Sequence, residues 1–156
     1  MNYIGIDLGT SSIKGLLVNE KGKILNEASY MYDVSYPAPN YSEQNPEDWI
    51  KGLKFVLNKL CDNVRNTIGG ISFGGQMHGL VILDENDKVI RPCILWNDGR
   101  TEEETKYLNE VIGKEKLSSF TNNIAFTGFT ASRNSPTKEL RCSISSFTLE
   151  KSNVLL

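Results

Sequence analysis

Ile4-Gly5-Ile6-Asp7-Leu8-Gly9-Thr10-Ser11-Ser12 opens the chain with a carboxylate at the end of an apolar strand and a turn of small residues behind it. Ile4, Ile6 and Leu8 alternate with Tyr3, Gly5 and Asp7, the period of two that a strand requires, so Asp7 points away from the apolar face. Gly9 allows a tight reversal with backbone close to a ligand. Thr10, Ser11 and Ser12 add hydroxyls and N–H donors to the same concavity, as a phosphate group demands. Mg²⁺ is a hard ion that keeps most of its waters, so a single carboxylate such as Asp7 with phosphate oxygens suffices to place it. The same stretch also fits a β-hairpin with a solvated Asp at its tip.

Downstream, Ile13 to Val18 reads as a second strand, Asn19-Glu20-Lys21-Gly22 as a hairpin turn, and Lys23 to Tyr32 as a third strand, all antiparallel. Lys14 follows the turn closely enough to reach a phosphate, and equally fits a solvated strand lysine. Pro37, Pro39 and the polar residues up to Gln44 form a connection without periodicity. Asn45 then caps a helix, with Pro46 at its first position and Glu47 and Asp48 at the positive end of its dipole. Trp49, Leu53, Val56, Leu57, Leu60 and Val64 make one apolar stripe that packs on a sheet. Gly69-Gly70 is expected to end the helical region, and Ile71-Ser72-Phe73 to begin a strand laid parallel to the first.

That strand runs into Gly74-Gly75-Gln76-Met77-His78-Gly79. Ligand-contacting residues collect beyond the carboxyl ends of such strands, and flanking glycines let backbone approach a small molecule. His78 is the single histidine of the chain; it reads either as a ligand contact or as a hydrogen-bonded structural residue. Leu80 to Leu83 and Lys88 to Ile90 read as a hairpin about Asp84-Glu85-Asn86-Asp87. Cys93 to Trp96 forms a short strand ending in Asn97-Asp98-Gly99-Arg100. An aromatic face, an amide, a carboxylate and a guanidinium at one strand end suit a polyol, and equally suit a loop that leads into a helix over a buried Trp. Thr101-Glu102-Glu103-Glu104 is a capping box, so the next helix runs from about Thr101 to Gly113.

The totals bound the reading. At 156 residues, 39% apolar and 23% charged, the chain suits one globular domain, and a net charge of -2 with no basic run gives no electrostatic case for nucleic acid. Cys61, Cys93 and Cys142 are odd in number and widely spaced, which argues against a disulfide framework, and one histidine makes a structural zinc site a poor fit. With no signal-like segment and no long apolar run, a cytoplasmic location is expected.

Together, the opening stretch, Ser42-Glu43-Gln44-Asn45-Pro46, Gly75-Gln76-Met77-His78-Gly79 and Ile94-Leu95-Trp96-Asn97-Asp98-Gly99-Arg100 resemble the amino-terminal half-lobe of the FGGY carbohydrate kinases, most of all their xylulokinase branch. Similarity continues through Asn123-Ile124-Ala125 and Thr127-Gly128-Phe129-Thr130-Ala131. The first motif is shared with actin and chaperone ATPases; the pairing of Gln76-Met77-His78-Gly79 with Trp96-Asn97-Asp98-Gly99-Arg100 is specific. The resemblance implies an α/β, ribonuclease-H-like (actin-like ATPase) lobe: a mixed sheet that begins with an antiparallel three-strand hairpin, carries flanking helices, and is incomplete. It implies ATP with Mg²⁺, and transfer of the γ-phosphate to a hydroxyl of a ketopentose such as D-xylulose. Carried over by position, Asp7 takes the metal and phosphate role, and Gly9, Thr10, Ser11 and Ser12 take the phosphate-turn role; Lys14 joins them as a cofactor-binding candidate by its place after the turn. Met77 and His78 match the sugar-contacting pair, with Gln76, Trp96, Asp98 and Arg100 beside it.

Two features depart from the family pattern. Residues 1–131 follow it, but Ser132-Arg133-Asn134-Ser135-Pro136-Thr137-Lys138 replaces the expected apolar helix, so residues 132–156 are expected to be a divergent, frame-shifted or disordered tail of a shortened gene product. The family's catalytic Asp matches no residue here, so the chain is expected to be inactive alone, its partner being the second lobe of the same kinase fold; Asp98 is the one nearby candidate for a substitute base. The rival readings are an actin- or chaperone-like nucleotide-dependent interaction module and a degenerate remnant.

Overall fold

Residues 1–129 are described by the computed structural model, and the expected alternation governs its first strands. β1 (Asn2–Leu8), β2 (Ser12–Asn19) and β3 (Ile24–Met31) are antiparallel neighbours, with Ile4 opposite Leu17 and Asp7 opposite Lys14. Ile4, Ile6, Ile13 and Leu17 are buried on one face, whereas Tyr3, Asp7, Lys14 and Leu16 stand exposed on the other.

After a loop, the two-residue strand β4 (Glu43–Gln44) leads into α1 (Pro46–Leu60). Asn45 caps α1 as expected, its side-chain oxygen accepting from the Glu47 N–H. The apolar stripe packs on the first sheet face: Val56 and Leu60 join Ile4, Ile6, Ile13, Leu17 and Tyr32 in the core, with Trp49, Leu53, Leu57 and Val64 around them. Two glycines set how closely α1 approaches. A Cβ on Gly15 would lie 2.5 Å from Val56 Cγ1 and 2.7 Å from Leu60 Cδ1; one on Gly52 would lie 2.8 Å from Ile13 Cγ2 and 2.9 Å from the Tyr30 ring.

The helix stops at Leu60, earlier than expected, and the left-handed Asn63 (φ 60°) turns the chain. β5 (Ile68–Gly75) then begins three residues before the expected Ile71 and runs through Gly69 and Gly70. The pair behaves as strand, not breaker, because Met1 and Tyr3 lie over it: a Cβ on Gly69 would be 3.0 Å from Met1 Sδ. β5 is parallel to β1, with Asp7 opposite Gly74, which completes the order β3-β2-β1-β5. That is the crossover arrangement expected from strand, hairpin, helix and strand, and the mixed sheet is the ribonuclease-H-like lobe. β5 lies at the sheet edge, bonded to β1 and to no other described strand.

The hairpin about Asp84–Asp87 is looser than expected: Leu83 pairs with Val89, but Leu80 pairs with Ile94 instead. β6 (Cys93–Ile94) bonds to β4 and leaves Trp96 in the following turn. α2 (Glu102–Tyr107) starts where expected but without the capping box. Thr101 offers its carbonyl, not its side chain, taking the Thr105 N–H and hydroxyl. A π-wound segment continues α2 to Gly113, where φ of 94° breaks the helix; a further helix, α3 (Lys114–Thr121), follows unanticipated. No helix among the described residues is long and apolar enough to cross a membrane. The expectations for residues 130–156, the tail included, lie outside the described residues.

On the helix face of the sheet, Ile6, Leu8, Ile13, Trp49, Leu53 and Phe73 line a partly open apolar cavity of about 460 Å³, with Val81, Leu83 and Val89 also on its wall. The predicted site residues are elsewhere.

Candidate active site

Each sequence-predicted residue of the phosphate turn sits at the carboxyl end of β1 or the start of β2. Asp7 is exposed on the open sheet face, beside Lys14 on one side and Gly74 on the other. A Cβ at Gly74 would come to 4.0 Å from Asp7 Oδ1, so the glycine leaves that carboxylate flank clear. The turn closes with Gly9 N–H donating to the Ser12 carbonyl at 2.9 Å, and a Cβ on Gly9 would lie 3.0 Å from that oxygen. Among the described residues no group of three or more His, Cys, Asp and Glu is placed to hold a metal. Mg²⁺ needs no such cage: one hard carboxylate with water and phosphate oxygens completes its octahedron, and Asp7 with the Thr10, Ser11 and Ser12 hydroxyls fits that donor chemistry.

The turn is braced by residues that the sequence reading gave no role. Tyr32, 8% exposed, donates its hydroxyl to the Gly9 carbonyl at 2.7 Å, and its N–H bonds the Ser11 carbonyl. Burial, with the nearby Asp7 charge, pushes the Tyr32 phenol up to about 12, so it is a firm donor. Gln44, 1% exposed, has every polar position filled: Nε2 donates to the Thr10 and Asp33 carbonyls at 2.9 Å each, and Oε1 accepts from Trp49 Nε1 at 2.7 Å and Gln76 Nε2 at 3.4 Å. No sequence period signals such a residue, since its bonded carbonyls lie 34 and 11 positions away.

Through Thr10 the phosphate turn joins both predicted sugar loops. Thr10 Oγ1 donates to Gln76 Oε1 at 3.1 Å and accepts from Trp96 Nε1 at 3.2 Å. Gln76 is further held by its N–H on the Leu8 carbonyl at 2.8 Å. Trp96 remains 46% exposed and Met77 68% exposed, so both present surface to solvent. His78 adopts a left-handed backbone (φ 62°), uncommon for a residue with a side chain, and its ring stacks on Phe129 at 4.0 Å and 15°. The Phe126–Phe129 turn also presses on the Trp96 loop, for a Cβ on Gly128 would collide with the Trp96 carbonyl.

Asp98 and Arg100 sit deeper than a polyol contact needs. Asp98 is 2% exposed, and its carboxylate accepts four bonds: Oδ1 from Arg100 N–H and Nε, Oδ2 from Arg100 Nη2 and from Ser42 N–H at 2.6 Å. Burial alone would raise its pKa; the bonds from Arg100 and Ser42 outweigh it and hold the carboxyl below its ordinary range. Arg100 also pairs with Glu43 at 2.7 Å and lies 3.8 Å over the Tyr41 ring. The expectation of Asp98 as a substitute base thus meets a carboxylate with its acceptor positions filled.

Residues 2–135 match the family model described as the FGGY family of carbohydrate kinases, N-terminal domain. The chain is 46% identical over 134 residues to a xylulose kinase of Lactococcus lactis, covering 83% of this chain and 26% of that protein. A xylulose kinase of Bacillus subtilis is likewise 46% identical over 134 residues, covering 83% and 27%. A crystal structure of a xyloylose kinase from Brucella ovis superposes with a TM-score of 0.78 at 41% identity, over 85% of this chain and 28% of that one. The chain therefore spans about a quarter of the length of the curated relatives it matches.

Proposed function

Because the chain belongs to the FGGY family of carbohydrate kinases, we propose that it is the sugar- and phosphate-contacting part of a xylulose kinase, serving ATP-dependent phosphorylation of a ketopentose such as D-xylulose. One observation carries this reading: the Thr10 hydroxyl bonds Gln76 and Trp96 at once, so the phosphate turn and both sugar loops meet at one side chain. Phosphoryl transfer depends chiefly on holding donor and acceptor in register, and a shared anchor does that.

ATP with Mg²⁺, when bound, supplies the transferable phosphoryl group. Asp7 would hold the ion, the backbone N–H groups of Thr10 and Ser11 with the Ser11 and Ser12 hydroxyls would meet phosphate oxygens across the Gly9 turn, and Lys14 would offer them a cation. Gln76, Met77 and His78 grip sugar hydroxyls while the exposed face of Trp96 packs on sugar C–H groups. Asp98 and Arg100 brace the Trp96 loop from beneath. The proton of the attacking hydroxyl has no acceptor here that matches the family's catalytic Asp.

Titration with D-xylulose, read by tryptophan fluorescence, tests this. Trp49 and Trp96 are the two tryptophans, so Trp96→Phe assigns the signal. A saturable change that disappears in Trp96→Phe and weakens about tenfold in His78→Ala is expected, with no ADP release from ATP by this chain alone. A flat titration overturns the proposal; turnover matching an intact homologue overturns the expectation that this chain is inactive alone.

A further inference from the structure

We infer that Phe129 is a positioning residue for the sugar site, holding the His78 imidazole in the orientation that meets substrate. The inference rests on the reading of His78 as a sugar contact. It begins from a backbone that does not favour its own conformation: at φ 62°, His78 stands where a residue with a Cβ is uncommon, and such a conformation persists when its surroundings over-determine it.

Phe129 supplies such a surrounding. Its ring lies 4.0 Å from the imidazole, within 15° of parallel, so one imidazole face is covered and the ring plane is set. Phe126 props Phe129 in turn, with centroids 5.2 Å apart and planes at 47°. The turn between them lies hard against the Trp96 loop. Gly128, at φ 79°, lies so near the Trp96 carbonyl that any Cβ would collide with it, and its Cβ would also stand 3.1 Å from the Asp98 carbonyl. The turn at 126–129 is therefore a wedge touching both sugar loops, His78 on one side and Trp96 to Asp98 on the other. A covered imidazole keeps its ring nitrogens on a fixed edge, so its hydrogen-bonding partner must arrive from one direction. A polyol with several hydroxyls at set spacing is discriminated by such a fixed edge.

His78 is the single histidine of the chain, so its imidazole signals are assigned without ambiguity in a proton–carbon NMR spectrum of the full chain. In the parent protein the ring protons are expected upfield of their free-imidazole positions, because the Phe129 ring lies parallel at 4.0 Å. Phe129→Leu keeps apolar bulk but removes the ring; the His78 signals are expected to move downfield and D-xylulose affinity to fall about threefold to tenfold, the worth of an aromatic pair. Phe129→Tyr restores the ring and should recover both. Unchanged His78 signals in Phe129→Leu, or moved signals with unchanged affinity, overturn the inference. A parent protein that shows the upfield signals yet binds no D-xylulose overturns the proposed function and this role with it, while leaving the stacking itself established. Methyl signals of Ile4, Val56 and Leu60 that stay in place confirm that the variant is folded.

Discussion

Asp98 and Tyr32 are two side chains whose ionisation the site shifts, and they act in opposite pH ranges. Asp98 has its pKa lowered on folding, so its contribution to stability is complete above its ordinary value of 3.8 and is lost as pH falls through the lowered one. Asp98→Asn removes the charge that Arg100 surrounds and is expected to cost about 3 kcal/mol near neutrality, the usual result of breaking a buried pair. In urea unfolding the gap between variant and parent should be widest above pH 4 and close as the medium is made more acid. Tyr32 runs the other way. Its pKa rises from 10.0 to about 12, so the folded state holds its proton longer and stability falls between those values, by about 1.4 kcal/mol per pH unit. Tyr32→Phe should flatten that alkaline decline. It should also cost about 1 kcal/mol at pH 7, for the lost bond to the Gly9 carbonyl.

At the scale of elements, the seat of α1 on the sheet is decided by what is missing from two positions. Gly15→Ala puts a methyl into Val56, Leu60 and Ile6 and is expected to lower stability by about 1 to 3 kcal/mol, read as a shift of the urea midpoint. Gly5→Ala, on the open face with nothing within 4 Å, is the matched control and should change little. This contrast also marks what could be read beforehand. The strand alternation of Ile4, Ile6 and Leu8 and the stripe of Val56 and Leu60 are periodic, so burial follows from spacing, and Asn45 with Pro46 announces where α1 starts. Gly69 and Gly70 misled because a glycine pair breaks a helix and equally accepts large side chains lying over a strand; Met1 and Tyr3 decide between these, and their position is tertiary. For the candidate site, residue type beside glycine or at strand ends is what singles out Asp7, Gln76, His78 and Trp96 in the sequence, and the Thr10 hydroxyl joins the loops of Gln76 and Trp96. Gln44, Tyr32 and Phe129 were not, because each acts through a partner distant in sequence and belongs to no local pattern.

At the scale of the whole sheet, β3 and β5 are its two margins among the described strands, each bonded to one neighbour, and they differ in charge. β5, Ile68–Gly75, carries no charged residue, contains four glycines among its eight positions, and bonds to β1 alone among the described strands. Unpaired N–H and C=O groups along such a margin are a template for any extended backbone that meets them. Concentrated solutions of this chain should therefore associate margin to margin, giving light scattering that grows with protein concentration and is insensitive to salt. Ser72→Lys, which adds a charge at an exposed position of that strand, should suppress the scattering without moving the urea midpoint by more than about 0.5 kcal/mol. The uncharged strand that opens the way to Gln76 and His78 is thus also the place where solubility is decided.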